Sequence, residues 1–291
     1  MYKNQQSLGI FYAIIAFLFW GLVPIYFKQV STVAPLEVLI HRVIFSVIVL
    51  TIMLTIAKQF HLIKPILKTP KALKYLFLSA ILVSLNWLIF IYAISQDKIL
   101  EASLGYYINP LISIFFGYIF FKENLSKYQK IAIFIATISV VIQLFTLGKL
   151  PLISIGLAIS FALYGVVRKK VNIASLPGLF IETLLLFPFA LIYLGYLIYT
   201  NNSAILTADS YIVWMLSLAG IITVLPLLWF NSATIRINIS TLGMLQYIGP
   251  SVAFLVAIFI YEEPLNTAKI FTFILIWFSL ALFSIDSIKN K

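Results

Sequence analysis

Ten apolar runs, each long enough to cross a bilayer as a helix, leave this chain almost no residues for anything else. A spanning helix takes about 20 mostly apolar residues. Runs bounded by charged or turn-forming residues fall at Leu8–Val30, Val33–Ala57, Ala72–Ser95, Leu100–Phe121, Tyr128–Thr146, Leu152–Arg168, Leu176–Thr200, Tyr211–Thr234, Ile239–Tyr261 and Leu265–Ile285. Their connections are short, and no soluble domain fits between them. Composition points the same way: 63% of the 291 residues are apolar, 10% are charged, and the mean hydropathy is +1.08. Soluble domains carry about 25% charged residues and must cover themselves with polar side chains. The expected class is an all-α membrane protein with ten transmembrane helices. Disorder, coiled coil and collagen are excluded by the same numbers. The first run is too long for the core of a cleavable signal and reads as a retained span.

The charge pattern orients the spans. One side receives Lys3, Lys58, Lys64, Lys68, Lys71, Lys74, Lys122, Lys127, Lys130, Arg168, Lys169, Lys170, Arg236, Lys289 and Lys291; the other receives Lys28, Lys98, Lys149 and Lys269. Lys and Arg accumulate on the cytoplasmic side, so both termini are expected inside. The stretch from Val171 to Ile235 has no Lys or Arg, and orientation is weakly pinned there. The net charge of +11 is thus explained by topology, without nucleic acid. There is no cysteine, which removes disulfides, thiolate metal sites and cysteine nucleophiles. His41 and His61 are 20 residues apart and do not form a metal-binding pair on one helix turn. No metal or cofactor is expected. The Ile-, Lys- and Asn-rich usage fits an AT-rich bacterial genome, hence a bacterial inner membrane.

The two halves of the chain resemble each other at an offset of 140. Asn86-Trp-Leu-Ile-Phe-Ile-Tyr-Ala93 lies over Pro226-Leu-Leu-Trp-Phe-Asn-Ser-Ala233, and Tyr107-Ile-Asn-Pro110 over Tyr247-Ile-Gly-Pro250. Glu123-Asn-Leu125 lies over Glu263-Pro-Leu265, and Trp20-Gly21 over Tyr164-Gly165 at an offset of 144. Residues 1–148 and 149–291 are therefore expected to be two five-helix repeats. Five is odd, so the second copy enters the membrane from the opposite side. Inverted repeats are a feature of secondary transporters, with the site near the midplane between the halves.

Charged groups inside spans are few. Glu37, His41 and Arg42 lie in the second run, Glu101 opens the fourth, and Glu182 lies about two turns into the seventh. Such groups cost a few kcal/mol and usually face protein or water. Arg42, about 10 residues and hence about 15 Å from the outer end of its run, reads two ways. It either pairs with Glu37 or Glu101 to lock helices together, or recognises an anionic solute group. His41 shares a helix face with Glu37 and is either a pH sensor or a satisfied buried polar group. Glu182 is either a proton-coupling carboxylate or a partner of the cluster Arg168–Lys170. Near mid-span lie Asn86, Asn109, Gln246, Tyr106, Tyr164 and the deep Trp20. The solute cavity is expected to be lined by Asn86, Tyr106, Asn109 and Gln246 and bounded by Trp20 and Tyr164; packing of an aromatic-rich core is the alternative. Pro110 and Pro250 are paired by the repeat and read as hinges or as static kinks. No GxxxG occurs among the 12 glycines, so that dimerisation motif is missing and the oligomeric state stays open.

Several phrases resemble the EamA-type drug/metabolite transporters, specifically their RarD-type branch. They are Phe19-Trp-Gly-Leu-Val-Pro24, Glu37-Val-Leu-Ile-His-Arg42, Asn86-Trp-Leu-Ile-Phe90, Leu100-Glu-Ala-Ser-Leu-Gly-Tyr-Tyr-Ile-Asn-Pro110, Tyr164-Gly-Val-Val-Arg-Lys-Lys170, Ile181-Glu-Thr183 and Leu242-Gly-Met-Leu-Gln-Tyr-Ile-Gly-Pro250. The resemblance runs nearly end to end. It implies a ten-helix inner-membrane carrier with a central cavity, and it supplies no substrate. The expected function is export of small organic metabolites or drugs by alternating access, with a small-molecule solute and the lipid bilayer as partners. The alternative is an integral-membrane enzyme acting on a lipid-linked substrate. Against it, the sequence shows no Asp-rich cluster, no HExxH and no P-loop.

Overall fold

The computed structural model describes residues 2–96, 98–147, 152–262 and 267–289. The Glu263–Leu265 side of one repeat match, Lys149, Lys291 and the boundary between the halves lie outside them. Every regular element among the described residues is helical. The first half holds α1 (Tyr2–Gln29), α2 (Pro35–Ile56), the 3-10 turn Phe60–Leu62, α3 (Ile63–Leu67), α4 (Pro70–Ser95), α5 (Ile99–Phe121) and α6 (Lys127–Leu147). The second holds α7 (Leu152–Val171), α8 (Ser175–Tyr199), α9 (Ala204–Thr207), α10 (Ser210–Thr234), α11 (Ile239–Leu245), α12 (Ile248–Phe259) and α13 (Thr267–Lys289). Among the described residues ten stretches are long and apolar enough to span, with α11 and α12 together forming the ninth.

Element ends follow local chemistry. α2 and α4 begin on Pro35 and Pro70, where the missing N–H is no loss and φ is already helical. Arg42 is therefore seven residues into α2, about 10 Å along its axis, shallower than its apolar run suggests. α7 continues past Arg168 so that Arg168, Lys169 and Lys170 lie in its last turn, where cations suit the helix dipole. Lys58, Lys122, Asn172, Asn201 and Glu262 close helices in the left-handed region, with φ between 50° and 55°. Lys122 and Glu262 are 140 residues apart, and Ile99 and Ile239, which open α5 and α11, have the same spacing. These backbone features share the 140-residue spacing of the sequence matches.

Packing carries it too. α5 and α4 both lie against α7; α12 and α10 both lie against α1. α2 packs on α10, and α8 on α4. α2 with α8, α5 with α11, and α6 with α13 join equivalent spans. Exchanging the halves turns each of these pairings into another on the same roster. Five crossings per half place equivalent helix ends at opposite ends of the bundle.

The two ends are not packed alike. The basic end, which carries Lys58, Lys122, Lys169 and Arg236, holds most of the main apolar core, including Leu50, Leu76, Ile181, Phe230 and Leu242. There α5 lies along α11, whereas α12 departs from α5 toward the opposite end and touches it slightly. Gly243 permits the close seam: a Cβ on it would stand 2.9 Å from the Pro110 carbonyl oxygen and 3.1 Å from Ser113 Cβ.

Pro110 sits within an unbroken α5, but the ninth span is interrupted at Gln246 and Tyr247. Pro250 has no N–H to offer the Gln246 carbonyl four residues back. That carbonyl instead accepts from Gly249 N at 3.1 Å, a tighter turn that breaks the α-helical ladder. The repeat-paired prolines thus have different local outcomes.

Candidate functional site

Arg42 projects between helices from both halves. Its Nε donates to Thr223 Oγ1 of α10 at 2.9 Å. Its guanidinium carbon lies 4.6 Å from the centre of the Trp87 ring and 5.5 Å from that of Phe27. The Tyr26 and Tyr106 hydroxyls are within its electrostatic reach. Phe90 packs between Phe27 and Tyr106, at 6.4 Å from each. Arg42 is half-buried and Tyr106 is 52% exposed. Among the described residues Arg42 has no ion pair, with Glu37, Glu101 or any other carboxylate.

Glu37 is occupied elsewhere. Its Oε1 accepts from Ser203 Oγ at 2.9 Å and from the Ala204 N–H at 2.7 Å, which fixes the start of α9. His41 Nε2 is 3.7 Å from the same oxygen, and the ring is 1% exposed with neither nitrogen hydrogen-bonded. Glu101 is buried at the start of α5, and its backbone carbonyl accepts from Ser154 Oγ of α7.

The other expected cavity residues fall into separate seams. Asn86 Nδ2 donates to the Leu157 carbonyl at 2.9 Å and to Ser160 Oγ at 3.0 Å, tying α4 to α7. Asn109 and Gln246 are buried on either side of Ser113, whose hydroxyl reaches Asn109 Oδ1 at 3.1 Å and Gln246 Oε1 at 3.4 Å. Trp20 and Tyr164, paired by the repeat, both pack on Phe230, at 5.7 and 6.0 Å, with Phe161 among them. Phe230 is the repeat equivalent of Phe90. One ring is sealed in an aromatic plug toward the basic end; the other stands in the half-buried wall beside Arg42.

Below the plug is a buried ion pair. Arg168 Nη1 donates to Glu182 Oε1 at 3.1 Å, and the side chains are 0% and 2% exposed. Ser79 Oγ also donates to Oε1, and Tyr164 Oη to Oε2 at 3.3 Å. Asn231 Nδ2 donates to the Tyr164 hydroxyl at 2.9 Å. Gly178 makes room for the guanidinium: a Cβ there would come within 2.5 Å of Arg168 Nη1. Four helices, α4, α7, α8 and α10, meet at this network.

Further contacts close the basic end. Glu123 accepts from the backbone N–H groups of Ile239 and Ser240, at 2.7 and 2.8 Å, and from Ser240 Oγ at 2.6 Å, satisfying the first donors of α11. Lys169 Nζ donates to the carbonyls of Thr234 and Ile237 at the end of α10. Two shallow cavities of about 410 and 390 Å³ lie at the bundle's ends, the first beside Lys71 and Lys170 and the second beside Glu37 and Asp209. Neither includes Arg42.

Sequence reading left Thr223, Ser79 and the individual partnership of Arg168 unassigned. Thr223 is one hydroxyl in a long apolar run and has no local signal. Arg168 had one: it is four residues from Tyr164, so the two share a helix face, and both point at Glu182.

Ten apolar helices in two packing-equivalent halves define a multi-pass membrane protein. Comparison with known proteins refines the class. The EamA-like transporter family matches residues 7–145. An "Uncharacterized transporter" of Vibrio cholerae is 43% identical over 291 residues, covering 99% of this chain and 96% of that protein. "Protein RarD" of Escherichia coli K12 is 41% identical, covering 100% and 98%. A solved crystal structure at 15% identity superposes with a TM-score of 0.72, over 97% of this chain and 98% of that one, which supports the fold. The chain belongs to the EamA-like transporter family, in the branch whose members carry the name RarD. It is a membrane transporter.

Proposed function

We propose that the chain exports small organic metabolites or drugs across the bacterial inner membrane by alternating access, with both termini and the basic end in the cytoplasm. One observation carries this reading: equivalent positions of the two halves are packed together at one end and apart at the other. Gly243 is sealed against Ser113, while its repeat equivalent Ser103 is exposed. Phe230 is buried and Phe90 is half-buried. A symmetric pair of repeats held in an asymmetric arrangement has a second state of similar packing, reached by exchanging the roles of the halves. The arrangement described here is then outward-open and closed to the cytoplasm.

In this reading the solute enters the recess walled by Arg42, Tyr106, Trp87, Phe90 and Phe27. Asn86, Asn109, Gln246, Trp20 and Tyr164 form its floor and seams, and become wall as the halves exchange. Glu37, His41 and Glu101 brace the outer part of the bundle. Glu182 braces the inner part, or carries a proton when Arg168 releases it. Pro250 marks the hinge within the ninth span, with Pro110 as its partner in α5.

Untargeted mass spectrometry of the medium, from cells with and without the chain, tests the reading. An organic solute should accumulate outside in proportion to expression and be chemically unchanged. No difference in any solute would end the export proposal, and a new chemical product would favour the enzyme alternative.

A further inference from the structure

We infer that the transported solute is an organic monoanion, a carboxylate on an aromatic or apolar body, and that Arg42 binds its carboxylate. The inference rests on the transport reading above and deepens it by naming the solute's chemical class.

Arg42 carries a permanent charge about two turns into a membrane helix. Burying such a charge is costly unless it is paired and hydrogen-bonded. The described residues supply one neutral acceptor, Thr223 Oγ1, and two ring faces, Trp87 and Phe27. No carboxylate of the described residues pairs with it. This contrasts with Arg168, the buried arginine at the other end, which has Glu182 as its own counter-ion. The nearest carboxylate along the helix, Glu37, is held by Ser203 and Ala204.

Geometry favours binding over chance solvation. Thr223 fixes Nε, and the aromatic faces fix the plane of the guanidinium. Among the described residues no hydrogen bond reaches the terminal Nη1 and Nη2 groups, and two parallel N–H donors are the fork that a carboxylate accepts. The charge count selects a monoanion. Among the side chains described toward this end, the other cations, Lys28 and Lys98, lie over the rings of Tyr261 and Tyr92. A dianion such as a phosphate monoester would leave one charge uncompensated in a low-dielectric recess. The remaining wall of Phe27, Trp87, Phe90 and Tyr106 offers ring faces to an apolar body.

The test uses purified full-length protein in liposomes loaded with the small-molecule fraction of a bacterial extract. Solutes lost from the vesicles are identified by mass spectrometry. The expected set is dominated by carboxylate monoanions. Arg42→Gln should slow their loss at least tenfold, Arg42→Lys should retain part of it, and Lys68→Ala should leave it unchanged. The fastest carboxylate and its amide are then compared by thermal stabilisation of the detergent-solubilised protein. The amide should bind at least tenfold more weakly to the wild type and equally to Arg42→Gln. Should Arg42→Gln fail to fold, the acid-to-amide ratio on the wild type and on Arg42→Lys decides. A lost set made only of neutral or cationic solutes, or equal binding of acid and amide, would overturn the inference while leaving transport intact. Loss of no solute would overturn the transport reading itself.

Discussion

Tyr247 donates its phenolic hydrogen to the backbone carbonyl of Tyr107 at 3.2 Å. The two residues are 140 apart, the offset of the internal repeat, so equivalent residues of the two halves touch each other. A contact between equivalent positions lies on the axis that relates the halves. On the basic side of it α5 and α11 are sealed through Ser113, Gln246 and Gly243. On the other side α5 and α12 touch only slightly.

The seal depends on the absence of a side chain at position 243. Gly243→Val should push α11 away from Pro110 and Ser113, at an overpacking cost of about 1–3 kcal/mol. Ser103→Val, at the equivalent exposed position, should cost far less. Thermal unfolding of the two purified variants checks this; equal losses would mean that the two ends are packed alike.

The Arg168–Glu182 pair predicts non-additivity. Removing one member leaves a buried charge, which costs about 3–5 kcal/mol, whereas replacing both with apolar residues is often near neutral. Arg168→Met and Glu182→Met should each lower stability strongly, and the double variant should recover most of the loss. Additive losses would mean that Ser79, Tyr164 and Asn231 hold each charge independently.

Orientation is checked by single cysteines in this cysteine-free chain. Asn202→Cys should react with an impermeant thiol reagent added to intact cells, and Lys68→Cys should not. The reverse pattern would invert the assignment of the basic end to the cytoplasm.

Much of this architecture is written in local patterns. Ten spans follow from apolar length, and the repeat from matches such as Tyr107–Pro110 with Tyr247–Pro250. What no single sequence reveals is which of two equivalent positions is sealed. Phe90 and Phe230 match in the repeat, yet one is half-buried and the other buried, a difference set by tertiary packing rather than by the local sequence. The partners of Arg42 were also illegible. A carboxylate one helix turn away, at Glu37, is the natural guess from sequence, but tertiary packing turns that carboxylate toward the start of α9. Glu182 was more legible, since a buried carboxylate near a cluster of three cations has few other partners.

The most direct test concerns the second state that alternating access requires. Exchanging the halves maps the sealed contact of Gly243 with Ser113 onto Ser103 with Ala253, so those two residues should meet when the outer end closes. The double variant Ser103→Cys, Ala253→Cys is reconstituted in liposomes and oxidised, and solute movement is followed before and after. The account predicts that the disulfide forms, that transport stops as it forms, and that reduction restores it. Undiminished transport with the crosslink fully formed would contradict alternating access by exchange of the halves.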